Sequence, residues 1–63
     1  MYHTQRLNKH YWLEVHRTMD EKAYFGLIVN KHNMTIYETG YCDSKREAVN
    51  DCKNWLKERE SHV

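Results

Sequence analysis

The side chains with nucleophilic or metal-binding chemistry in this chain are Cys42 and Cys52 together with His3, His10, His16, His32 and His62. A thiol paired with an imidazole is the one nucleophile–base combination they permit, and Cys42 with a histidine is its only candidate. A zinc site needs ligands in close pairs such as Cys-x-x-Cys, and none of these spacings forms one. The expectation is no catalytic residue, no metal and no cofactor. Two cysteines are too few for a disulfide scaffold, and no apolar run has the length of a signal peptide or membrane span. A reducing, cytoplasmic setting and no membrane partner are expected. Cys42 precedes a helix and Cys52 lies more than two turns inside it, farther than a disulfide tolerates, so both thiols should be free.

What remains is binding chemistry. Two Trp, five Tyr and one Phe in 63 residues exceed what one small core can enclose, so some rings should stand at the surface. Ten Lys and Arg balance nine Asp and Glu for a net charge of +1, which selects neither a polyanion nor a basic partner.

The elements that must position these rings can be read from periodicity. Met1 to His10 is polar and without apolar period, which predicts a flexible N-terminal arm ahead of one domain spanning 11–60. Tyr11 to Thr18 alternates, with Tyr11, Leu13 and Val15 on one face and Trp12, Glu14 and His16 on the other. Met19 to Lys22 is a polar hairpin connection. Ala23 to Asn30 continues as a strand, read with Ala23, Phe25, Leu27 and Val29 inward and Tyr24, Gly26, Ile28 and Asn30 outward. Gly26 then leaves a notch for a neighbouring ring. Lys31-His32-Asn33 makes the next turn, with Asn33 suited to a left-handed conformation. Met34 to Tyr41 is the third strand, with Met34 and Ile36 inward and Gly40 bending Tyr41 back to the core.

Ser44 followed by Glu47 is a capping box: the Ser hydroxyl accepts from the Glu47 N–H and the carboxylate reaches back to the Ser44 N–H. From Lys45 to Arg59, Ala48, Val49, Cys52, Trp55 and Leu56 form an amphipathic stripe. The fold class is therefore α+β, a three-stranded antiparallel meander with one C-terminal helix on one face (β-β-β-α). No internal repeats, linkers or low-complexity tracts are expected.

The stretch Ile36 to Ala48, with Gly40-Tyr41, the capping Ser44 and Glu47-Ala48, resembles two groups of β-β-β-α domains. One is the plant ethylene-response type of DNA-binding domain with the related arm-binding domains of phage integrases. That resemblance implies a sheet that enters the major groove on Arg and Trp side chains, for which the strands here supply only Arg17, Trp12 and His16. The other is a family of short bacterial domains of unassigned function, to which Tyr24-Phe25-Gly26-Leu27 is also similar; it implies a fold and no activity.

The uncovered sheet face is expected to carry the function, as a small non-enzymatic binding domain of bacterial or phage type acting as an inhibitor or accessory factor. Its expected binding residues are Trp12, His16, Arg17, Tyr24 and Tyr37, and its expected partner is another protein. This holds unless the arm covers the rings or the two faces are reversed. The alternative is nucleic acid, with Arg6, Lys9, Arg17, Lys22 and Lys31 neutralising phosphates. A homodimer is compatible with either.

Overall fold

The computed structural model describes residues 3–61. Met1 and Tyr2 of the expected arm, and His62, lie outside the described residues. Four strands, β1 (His3–Arg6), β2 (Tyr11–Arg17), β3 (Tyr24–Asn30) and β4 (Thr35–Glu38), form one antiparallel sheet in the order β1-β2-β3-β4, followed by α1 (Lys45–Ser61). The α+β meander with a C-terminal helix is as read from the sequence, but it has four strands rather than three.

The fourth strand comes from the expected arm. His3 and Gln5 pair with Val15 and Leu13 and are half-buried, while Thr4 and Arg6 point outward and are exposed. An edge strand is held by its backbone ladder and needs no apolar stripe, which is why hydrophobic period did not reveal it. The chain then reverses through residues 7–10, where the Leu7 and Asn8 N–H groups both donate to the Tyr11 carbonyl.

The β2–β3 connection decides which residues face the helix. The Thr18 N–H donates to the Ala23 carbonyl at 2.9 Å, and the same register carries on to pair Val15 with Gly26 and Leu13 with Ile28. Directly paired residues share a face. Gly26 and Ile28 therefore lie on the helix side with Leu13 and Val15, and Phe25, Leu27 and Val29 lie on the opposite side. This reverses the inward and outward assignment expected for this strand. Leu13, Val15, Ile28, Ala48 and Cys52 make a core with no exposed surface.

Between β3 and β4 the register shifts: Ile28 pairs with Tyr37 and Val29 with Thr35, so Ile36 is an extra residue in a bulge. The bulge keeps Ile36 against the core and brings Tyr37 to the helix side as well, correcting its expected outward position. Met34, expected inward, is 61% exposed, and Tyr41 is 80% exposed rather than bent into the core at Gly40. The buried residue in this stretch is Thr39, 4% exposed. Its N–H donates to the Gly26 carbonyl, and its hydroxyl accepts from the Gly26 N–H and donates to the Gly40 carbonyl. The ladder thus continues one residue beyond β4 through a side chain. Asn33 takes the left-handed φ of 65° expected of it, and Glu21 adopts φ 62° in the β2–β3 connection.

At the start of α1 the Ser44 hydroxyl accepts from the Glu47 N–H at 3.2 Å, while the Glu47 carboxylate accepts from the Asp43 N–H at 2.8 Å rather than from that of Ser44. The cap therefore spans one residue more than a standard capping box. Ala48 and Cys52 then face β3, where Gly26 lets the helix approach closely.

Candidate functional site

With the helix on one side, the other side of the sheet presents three rows of side chains. The first is Arg6, Trp12, Val29 and Thr35; the second is Thr4, Glu14, Leu27 and Glu38; the third is His16 and Phe25. Each row crosses adjacent strands at the spacing of about 5 Å that lets neighbouring side chains touch.

The ring geometry ties the rows together. The His16 imidazole stacks on Phe25 with centroids 5.3 Å apart and planes 11° apart, and Phe25 meets Tyr41 edge-on at 6.2 Å. His16 Nε2 lies 3.0 Å from Glu14 Oε1. The Arg6 guanidinium stands over Trp12 at 5.7 Å from the ring centroid. Val29 is only 5% exposed although it faces away from the helix, because Trp12 and Thr35 flank it. The face is thus an apolar centre of Trp12, Phe25, Leu27 and Val29, edged by Arg6 and His16 and interrupted by the carboxylates of Glu14 and Glu38.

Two of the five expected binding residues, Trp12 and His16, lie on this face. Arg17 is exposed at the end of β2, on the helix side of the sheet, with its guanidinium 5.6 Å from the Tyr24 ring centroid; Tyr24 is its register partner and shares that side. Tyr37 stacks on Trp55 with centroids 5.0 Å apart, and its hydroxyl donates to Asp51 Oδ1 at 2.9 Å. Tyr37 and Trp55 are held together as a joint between sheet and helix, so Tyr37 is a packing residue. Desolvation, and then the hydrogen bond to and charge of Asp51, push the Tyr37 hydroxyl up to about 12.

Phe25, Leu27, Val29 and Tyr41 are the residues of the face that sequence reasoning missed. The signal for the first three was available: a four-residue connection from Met19 to Lys22 pairs Thr18 with Ala23, and that register puts odd-numbered residues of β2 beside even-numbered residues of β3.

The residues expected to contact nucleic acid do not form one patch. Arg6 is on the open face, Lys9 and Lys31 stand in turns at one end of the sheet, and Lys22 is in the turn at the other end, roughly 20 Å away along a seven-residue strand. The cysteines are free thiols; Cys42 donates to the Gly40 carbonyl, and Cys52 is buried. Among the described residues no group of three or more His, Cys, Asp or Glu is placed to hold a metal ion, and no helix is long and apolar enough to cross a membrane. No family model, curated protein or solved structure matches this chain.

Proposed function

We propose that this chain is a small non-enzymatic, cytoplasmic binding domain of bacterial or phage type, which docks another protein on its open sheet face and acts by occlusion. The observation that carries this reading is the contiguity of the half-buried Trp12, Phe25 and Leu27 around the buried Val29 on the side of the sheet away from the helix. Apolar patches of several hundred Å² edged by polar groups are characteristic of docking surfaces, and Trp at their centre is a common anchor. Trp12 is the anchor, Leu27 and Phe25 extend the contact, and Arg6 and Glu38 sit at opposite edges to set orientation.

The face favours protein over nucleic acid because Glu14 and Glu38 flank Leu27 in its middle row. Carboxylates at that position repel phosphates and would offset the single guanidinium of Arg6. The test is binding of a purified partner as a function of salt. Affinity that changes little with ionic strength and is lost in Trp12→Ala supports the reading, and affinity that falls log-linearly with salt contradicts it.

A further inference from the structure

The tripeptide Asn-Lys-His occurs twice, as Asn8-Lys9-His10 and as Asn30-Lys31-His32. The first lies in the link between β1 and β2 and the second begins the link between β3 and β4, so both stand at the same end of the sheet. Because Tyr11 pairs with Asn30 across adjacent strands, the two copies are neighbours. This is a short internal repeat where none was expected, since it is three residues long and becomes meaningful only when the strands are paired.

The two copies share their local geometry. Asn8 Oδ1 accepts from the N–H groups of His10 and Tyr11 at 2.8 and 2.9 Å, and Asn30 Oδ1 accepts from those of His32 and Met34 at 2.9 and 3.0 Å. Each Asn side chain thereby pins the backbone of the Lys-His pair that follows it. Between the copies lies a solvent-open hollow of about 340 Å³ lined by His10, Tyr11, Asn30, Lys31, His32 and Ile36. A second hollow of about 290 Å³ shares His10 and Tyr11 and adds Arg59 and Glu60.

The charge at this end is mostly positive. Lys9, His10, Lys31 and His32 are all exposed, the turn segments 7–10 and 31–34 contain no Asp or Glu, and Arg6 reaches in with its Nε donating to the Asn8 carbonyl at 3.1 Å. Arg59 adds a further cation, held over the Trp55 ring, and Glu60 is the carboxylate lining the second hollow. Lys31 lines the hollow between the copies, Arg59 lines the second hollow, and Lys9 stands exposed in the adjoining turn. Imidazole N–H groups beside ammonium groups suit a tetrahedral oxyanion, which takes donors from several sides. They suit a metal cation poorly, because the lysines repel it and two imidazoles leave its coordination incomplete.

We infer that the hollow between the paired Asn-Lys-His turns binds a phosphate group, with His10 and His32 donating from its two sides, Lys31 supplying charge at its wall and Lys9 adding charge from the adjoining turn. The shared chemistry is a phosphate monoester or diester, whether a small phosphorylated molecule or a nucleic-acid backbone. This surface is separate from the apolar centre of the open face, and its failure leaves the protein-docking reading standing.

The experiment is a titration of the full chain at low salt with inorganic pyrophosphate and, separately, with a short oligothymidylate, followed through the imidazole ring signals by NMR. The expected result is that the His10 and His32 signals move together and saturate while those of His3 and His16 stay in place. The variant His10→Asn/His32→Asn, altered only at exposed turn positions and checked for folding by circular dichroism, should bind at least about ten-fold more weakly. Tighter binding of the oligothymidylate, with a log-linear salt dependence, assigns the phosphate to a nucleic-acid backbone; a response to pyrophosphate alone assigns it to a small phosphorylated molecule. Equal movement of all the histidines, unchanged affinity in the double variant, or saturation by zinc ion with no response to either phosphate probe would overturn the inference.

Discussion

The Sγ of Cys52 lies 2.8 Å from the position a Cβ on Gly26 would occupy, and the Ala48 carbonyl oxygen lies 3.2 Å from it. The missing side chain at Gly26 is what seats α1 on β3, and it identifies the covered face of the sheet. Gly26→Ala should push the helix outward and destabilise the domain by about 1–3 kcal/mol, read by chemical denaturation. Cys52→Ala removes the sulfur from that contact, so Gly26→Ala should cost less in a Cys52→Ala background than in the native chain.

Adjacent residues of β3 should respond oppositely to the same change. Ile28 is fully buried among Leu13, Val15 and the helix, whereas Leu27 stands on the open face between Glu14 and Glu38. Ile28→Lys should leave no folded population, because the ammonium enters the core without a partner. Leu27→Lys should fold with stability within about 0.5 kcal/mol of the native chain, its ammonium lying between two carboxylates. Thermal melts of the two variants check this directly.

Tyr37 ties the sheet to the helix through Trp55 and Asp51. Tyr37→Phe keeps the stack and removes the 2.9 Å hydrogen bond, and should cost about 1 kcal/mol. Trp55→Ala removes the stacked partner and should cost about 3 kcal/mol or more, enough to unfold much of so small a domain. Equal losses in the two variants would mean that the hydroxyl rather than the ring carries the joint.

Stability should fall on the alkaline side. Burial, followed by the charge of Asp51, pushes the Cys52 thiol from its ordinary 9.0 up to about 12, and Tyr37 is raised from 10.0 to about 12. Both groups keep their protons in the folded chain at pH values where the unfolded chain has lost them. Their contribution is complete below pH 9 and declines as pH rises from 9.0 towards 12, with Cys52 responding first. Denaturation midpoints measured at stepped pH should show this decline, and Cys52→Ala should delay its onset to the window set by Tyr37.

The parts of the fold legible in the sequence are those where polar and apolar residues alternate cleanly. β2 shows Leu13 and Val15 against Glu14 and His16, and α1 shows its stripe from Ala48 to Leu56, so both were located with their faces. β3 has apolar residues on both sides, Gly26 and Ile28 against Phe25, Leu27 and Val29, and periodicity cannot choose between them. Pairing through the β2–β3 connection does choose, and it moved Phe25 and Leu27 onto the open face while taking Tyr24 off it. β1 was missed because an edge strand of His, Thr, Gln and Arg carries no hydrophobic signal. Tyr37 changed sides because one extra residue, Ile36, shifts everything after it in β4. Of the binding site, Trp12 and His16 were readable because they belong to β2; the paired Asn-Lys-His turns were not, because their closeness follows from strand order and not from chain spacing.

The face bearing Trp12 and Leu27 is proposed to dock another protein. Photo-crosslinking in the native cell from a photoreactive residue placed at Leu27, with Lys53 on the exposed side of α1 as the control position, decides whether it does. One discrete protein adduct is expected from position 27 and none from position 53, with the purified partner binding the native chain in a salt-insensitive manner and failing to bind Trp12→Ala. Adducts to nucleic acid, adducts only to a second copy of this chain, or equal labelling from both positions would contradict it.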